Sequence, residues 1–237
     1  MESGQIELNR VKCVRVFVCI MTLIFSIDGN IGSGKSTLAA ALKRELTTVA
    51  NRPVVYLDEP VEMWKSVTDE QGATALECFY QNQSKYAFSF QMLAYISRVA
   101  QLKETLRRNT DVIVITERSV HTDKHVFAKM LYDNKKINRI EYSIYLKWFD
   151  YFSREMPLDG IIYIDASPKV CVGRIKKRDR RGETVPSEYS QRCHDYHTSW
   201  ITKQNNVLHL SGDSEMQDES FNVWCKRVRD FVAQSID

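Results

Sequence analysis

Short apolar runs alternate with longer helical patterns along this chain. Residues 22–28 are β-branched and apolar, and a glycine-rich turn follows them. A helical pattern then covers residues 36–49. A second apolar run, 53–58, precedes a long helical segment at 73–108, where Phe79 is followed by Phe90, Leu93, Ile96, Val99, Leu102 and Leu106, the last six recurring at three- and four-residue steps. A third strand-like run, 111–116, leads into helical residues 122–156, rich in Tyr and Trp. Residues 160–165 read as a fourth strand and 168–180 as a helix that becomes basic. A helix at 186–204, a fifth strand at 207–210 and a last helix at 218–234 complete the pattern. Strands separated by helices predict βαβ units, here a five-stranded parallel sheet covered on both faces. No internal repeat occurs. Nine Gly and five Pro form no linker, which favours one compact domain.

The most apolar stretch, residues 16–27, has basic Arg10, Lys12 and Arg15 before it. It falls well short of the ~20 residues a spanning helix needs. It resembles the core of a signal peptide, but no small-residue cleavage site follows, and it runs directly into the Gly-rich turn. The expectation is an N-terminal appendage at 1–20, dispensable and with Met21 a possible alternative start, followed by a single domain at 21–237.

Composition is ordinary for a globular chain, with 43% hydrophobic and 27% charged residues among 237. That excludes a disordered tail, a collagen-like fibre and a multi-span membrane protein. A net charge of +3 is too mild to argue for nucleic-acid binding by bulk charge. Six scattered cysteines without a CxxC pair fit reduced thiols in the cytoplasm better than a secreted disulfide framework. Neither a nucleic-acid nor a membrane partner is expected.

The chemistry starts at Gly29-Asn30-Ile31-Gly32-Ser33-Gly34-Lys35-Ser36, with Thr37 next, which matches GxxxxGK[ST] between a strand and a helix. Glycines let backbone N–H groups converge on an anion, and the following helix points its positive end there. Lys35 supplies a mobile charge for phosphates, and the Ser36 hydroxyl can ligate Mg²⁺. Such a loop identifies a nucleotide, not a reaction. A GTPase would carry NKxD, which is absent. Glu59, before Pro60, and Glu117-Arg118 fall at further strand ends, where open α/β sheets place ligands.

Taken together, GNIGSGKST (29–37), EPVEMW (59–64), FSFQ (88–91), Ser97-Arg98, ERSVHTDKHVF (117–127), RIKKRDR (174–180), VPSEY (185–189) and the spacing of His194, His197 and Trp200 resemble the deoxyribonucleoside kinase family, in its deoxycytidine/deoxyguanosine kinase branch. These motifs span nearly the whole chain. The resemblance implies a P-loop kinase fold of three layers with an arginine-rich lid, and ATP-dependent, Mg²⁺-assisted 5′-phosphorylation of deoxyribonucleosides in salvage. It implies Glu59 as the base for the 5′-hydroxyl, Arg118 at that hydroxyl and the transferring phosphoryl group, and Glu117 as a carboxylate associated with Mg²⁺. Gln91 would read the base edge, with Trp64, Phe90 and Phe127 as its walls. Tyr80 and Glu183 would bind the sugar 3′-hydroxyl.

Arg174, Arg178 and Arg180 would grip phosphates from the lid; 174 and 178 share a helix face. The stretch from 178 to 186 is one residue shorter than the family's usual pattern, which puts Glu183 in doubt. A solvated helix face and a nuclear-import patch are the competing readings of these basic residues.

Arg98 and Asp123 stand where this branch carries a charged pair beside the base. They predict deoxycytidine and purine deoxynucleosides over thymidine. The alternatives are a thymidine-preferring kinase, a nucleoside monophosphate kinase such as thymidylate kinase, and a non-catalytic P-loop regulator. A carboxylate at 59 argues against an acceptor that already carries phosphate. Donor choice between ATP and other triphosphates such as UTP stays open. The resemblance also implies a homodimer through helices near 85–108 and 122–152.

Overall fold

A computed structural model describes residues 22–178, 185–214 and 218–236. The appendage assigned to 1–20 and the lid positions Arg180 and Glu183 lie outside them.

The strands are β1 (Leu23–Gly29), β2 (Thr48–Val49), β3 (Arg52–Leu57), β4 (Ile113–Glu117), β5 (Gly160–Asp165) and β6 (Val207–Ser211). They form one sheet in the order β2-β3-β4-β1-β5-β6. Five of them pair in parallel, as expected. The sixth is a correction. β2 pairs antiparallel with β3, Thr48 opposite Pro53 and Val49 opposite Arg52. Ala50 and Asn51 turn the hairpin with φ of 47° and 64°. That two-residue, left-handed geometry matches the strand twist, and Ala is a poor advertisement for it. The first helix, α1 (Lys35–Glu45), therefore stops short of residue 49.

Two other helical segments divide. After a short helix α2 (Val61–Lys65), the pattern at 73–108 becomes α3 (Ala75–Gln81) and α4 (Gln83–Arg108). Asn82 breaks it: its backbone leaves the helical region, and its side chain accepts from the Lys85 amide to start α4. The segment 122–156 becomes α5 (Val120–Thr122), a π-helical turn at Asp123–Ala128, α6 (Lys129–Asp133) and α7 (Arg139–Ser153). A capping box between Asn138 and Glu141 starts α7. The remaining helices are α8 (Pro168–Arg178), α9 (Ser187–Ile201) and α10 (Asp218–Ala233).

Alternation along the strands explains the layers. Phe25 and Ile27 of β1 and Ile113 and Ile115 of β4 face one way, into a core with Leu38 and Leu42 of α1 and Val228 of α10. Ile24 and Val114 face the other way, against Tyr95 and Val99 of α4 and Tyr145 and Phe149 of α7. Each such side chain buried from water stabilises the fold by about 1.5–3 kcal/mol. Because both faces are covered, chemistry is left to the strands' carboxyl ends. β3, β4 and β1 are neighbours in the sheet, so the segments following Leu57, Thr116 and Asp28 emerge side by side.

Candidate active site

A cleft of about 400 Å³ opens at that edge. One end is lined by Gly32, Gly34, Lys35, Ser36 and Thr37, the other by Trp64, Phe79, Phe90 and Gln91, with Glu59, Arg98, Glu117 and Arg118 between.

Two of the three glycines in the phosphate loop, Gly32 and Gly34, carry different constraints. Gly32 (φ 80°) packs so closely that a Cβ would stand 2.6 Å from the Cys171 carbonyl oxygen. Gly34 (φ 106°) immediately precedes α1, and a Cβ there would meet no atom within 4 Å. The space beside Gly34, next to the α1 N-terminus, suits an anion. Gly29 contributes its carbonyl oxygen to Arg118 Nη1 at 2.9 Å. Ile31 N–H donates to Asn30 Oδ1, and Asn30 Nδ2 donates to the Ser190 carbonyl of α9 at 2.9 Å. Arg174 Nη1 donates to the Ser33 carbonyl at 3.2 Å, and Arg178 also lines the cleft.

Lys35 Nζ donates to the Asn30 carbonyl at 2.7 Å. Burial and then the charge of Arg118 lower the amine to about 7. Ser36 Oγ donates to Glu117 Oε1 at 2.8 Å. A hydroxyl and a carboxylate at this separation are the hard oxygen donors Mg²⁺ takes, so the donor set fits that ion.

Glu59 is the hub. Its Oε1 accepts from Arg98 Nη2 at 2.7 Å and lies 3.5 Å from Arg118 Nε. Burial pushes the carboxyl up, but Arg98, Arg118 and Lys35 together outweigh it, and the group sits below its ordinary value. Arg98 also donates to the Glu117 carbonyl at 2.8 Å and places Nε 3.1 Å from Asp123 Oδ2. Arg118 has φ 63°, with its backbone N–H bonded to the Ile27 carbonyl, so β4 ends in a sharp turn that aims the guanidinium at the phosphate loop.

At the far end Trp64 Nε1 donates to Ser97 Oγ at 2.9 Å, and its ring meets Phe90 edge-on at 5.5 Å. Gln91 is buried, and its Oε1 has no hydrogen-bond partner among the described residues. A buried amide left half-satisfied on a cleft wall is suited to a polar ligand edge. Tyr80 also lines the cleft. Phe127 does too, but it lies beneath Arg118, 4.9 Å from ring centre to guanidinium carbon.

Every described residue expected at the site is thus gathered along one cleft. Gly29, Asn30 and Ser33 work from behind its surface, through hydrogen bonds, while Asp123 lines it. Leu76, Phe79, Ala94 and Tyr189 line it as well, outside the residues expected there. Leu76 and Ala94 are ordinary apolar positions on helices, and no local signal marked them. His197 stands out in the sequence only through its spacing, and it approaches Arg118 Nη1 at 3.4 Å.

Residues 25–233 match the deoxynucleoside kinase family, and the chain belongs to it. Aligned over 240 positions, it is 34% identical to the deoxycytidine kinase of Homo sapiens, covering 88% of this chain and 90% of that protein. The mitochondrial deoxyguanosine kinase of Xenopus laevis is 30% identical, with 88% and 89% covered. The deoxycytidine kinase of Mus musculus is 34% identical, with 74% of each chain covered. The chain is accordingly an enzyme, a deoxynucleoside kinase of nucleoside salvage with ATP as phosphate donor. The monophosphate-kinase and regulator readings fall away.

Proposed function

We propose that this kinase prefers deoxycytidine and purine deoxynucleosides to thymidine. The observation that carries this is the buried ion pair of Arg98 and Asp123 beside the aromatic end of the cleft. On this reading the pair narrows the space a thymine 5-methyl group would need, and it is costly to displace because both charges are buried. Gln91 supplies the two-sided amide for the base edge, and Trp64 and Phe90 its walls. The absence of one methyl pocket is worth only ~1–3 kcal/mol, so thymidine is disfavoured rather than refused.

In the reaction, Glu59 accepts the proton of the sugar 5′-hydroxyl as that oxygen attacks phosphorus. Its lowered value keeps it ionised and ready at neutral pH. Arg118, held between Gly29 and Glu59, stabilises charge on the group in transit. Lys35, Arg174 and Arg178 neutralise the donor phosphates, and Tyr80 orients the sugar. Ser36 and Glu117 would hold Mg²⁺, which supplies charge neutralisation at the phosphates. Positioning and electrostatics of this kind provide most of the catalysis in phosphoryl transfer.

The enzyme is read as a homodimer. Ile140, Ile144, Trp148 and Tyr151 form an exposed stripe along α7, with Trp148 47% and Tyr151 66% exposed. Ile96 of α4 is exposed as well, and Tyr95 OH bonds the Trp148 carbonyl, so the two helices offer one apolar face. A second copy covers such a face. Trp148→Glu should give a monomer by sedimentation.

A cytoplasmic setting is supported by four cysteines, Cys78, Cys171, Cys193 and Cys225, all buried with free thiols. No helix among the described residues is long and apolar enough to cross a membrane.

The test is an acceptor panel: kcat/KM for the four deoxynucleosides and for dCMP. Deoxycytidine and the purines should lead, with dCMP inactive. A thymidine preference would overturn the reading.

A further inference from the structure

We propose that His197 is a positioning residue for phosphoryl transfer, a neutral imidazole that accepts a hydrogen bond from Arg118 and fixes the direction of its guanidinium. This rests on the reading of Arg118 as the group beside the transferring phosphoryl.

Arg118 needs such help. Its φ of 63° is a left-handed conformation that a non-glycine residue keeps only when its surroundings over-determine it. Its guanidinium has the Gly29 carbonyl on Nη1, Glu59 Oε1 3.5 Å from Nε and the Phe127 ring on one face. The remaining close neighbour of Nη1 is His197 Nε2 at 3.4 Å.

The chemistry of the two ring nitrogens is decided by what each faces. Nδ1 lies 2.6 Å from the Cys193 carbonyl oxygen, one turn earlier on α9. A carbonyl only accepts, so Nδ1 carries the proton. Nε2 faces a guanidinium, which only donates, so Nε2 presents its lone pair. Burial and then the charge of Arg118 hold the ring well below its ordinary value, in agreement with the neutral form. The ring has little freedom to turn. Phe127 meets it edge-on at 6.1 Å, and Tyr163 of β5 lies alongside at 6.2 Å.

The same helix touches the phosphate loop two turns earlier, where Asn30 donates to the Ser190 carbonyl. One rigid element therefore sets the register between the loop and Arg118. A histidine that merely filled the core would stabilise the fold without governing rate.

The test compares His197→Phe, His197→Gln, Arg118→Met and the double variant His197→Phe/Arg118→Met. His197→Phe should lower kcat by roughly 10²-fold, the scale of a misplaced catalytic group, while leaving KM for nucleoside and ATP near wild type. His197→Gln, which keeps an acceptor, should recover most of that loss. The double variant should be no slower than Arg118→Met, because the two act as one unit. Nitrogen NMR of the wild-type enzyme should find His197 as the neutral Nδ1–H tautomer at neutral pH, and this readout survives if His197→Phe fails to fold. Wild-type kcat in His197→Phe, or an Nε2–H or doubly protonated ring, would overturn the proposal. Wild-type kcat in Arg118→Met would overturn the reading of Arg118 and this proposal with it. A slow Arg118→Met beside a fast His197→Phe would remove the positioning role alone.

Discussion

Arg98 Nη2 donates to Glu59 Oε1 at 2.7 Å, and the same guanidinium reaches Asp123 with Nε. One side chain thus joins the group read as the base to the group read as the specificity element. Selectivity and rate should not be separable at this position.

Removing Arg98 alone would leave Asp123 buried without its partner, which costs about 3–5 kcal/mol when a buried pair is broken. Arg98→Met should therefore melt well below wild type, and Arg98→Met/Asp123→Ala should recover much of the loss. The double variant should shift the thymidine-to-deoxycytidine ratio of kcat/KM toward thymidine by roughly 10- to 200-fold. Its kcat for deoxycytidine should fall as well, since Glu59 loses its closest cation. Calorimetry and steady-state kinetics on the two variants check both halves.

The charged groups of the cleft predict a pH dependence of known sign. Glu59 lies below its ordinary value because Arg98, Arg118 and Lys35 overcome its burial. Turnover should therefore stay flat through mildly acidic pH, its acid limb lying below the usual carboxylate range. The stability Glu59 contributes is present above its unfolded value and lost as pH falls through the folded one.

Lys35 behaves oppositely. At about 7 its amine is mostly neutral in mildly alkaline solution, and phosphates beside it raise that value. ATP binding near pH 8 should take up close to one proton, measured by calorimetry in buffers of different ionisation enthalpy. Lys35→Met should abolish the uptake.

Gly32 and Gly34 of the phosphate loop should fail in different ways. Gly34→Ala adds a methyl into open space beside α1, so only left-handed strain of ~1–2 kcal/mol opposes folding. It should fold, with KM for ATP raised because the methyl stands in the anion cradle. Gly32→Ala drives its methyl to 2.6 Å from the Cys171 carbonyl, against backbone that cannot move aside. It should lose stability first. Melting temperatures and ATP kinetics of the pair separate the cases.

What the chain discloses before folding follows from the range of the physics involved. Gly29 to Ser36 is legible because converging backbone amides demand a fixed local spacing. Glu59 and Glu117-Arg118 are legible because alternation marks where each strand stops. The five parallel strands follow from the same alternation. The two-residue β2 is too short to show a period, and its hairpin uses Ala50 and Asn51 rather than glycine. The break at Asn82 hides because Phe79 and Phe90, eleven residues or about three turns apart, still fall on one helical face. The roles proposed for Arg98 and Asp123 rest on the family resemblance, since local spacing cannot say that a helix residue and a π-turn residue meet. His197 is a buried polar residue on a helix face, and only its contact with Arg118, 79 residues away, distinguishes it from a core histidine.

The central claim is that Glu59, across the cleft from the phosphate loop, takes the 5′-hydroxyl proton. Single-turnover phosphoryl transfer by Glu59→Gln tests it most directly. The rate should drop by roughly 10²- to 10⁴-fold, while deoxycytidine and ATP bind nearly as before. Transfer at the wild-type rate, with both substrates bound, would contradict it.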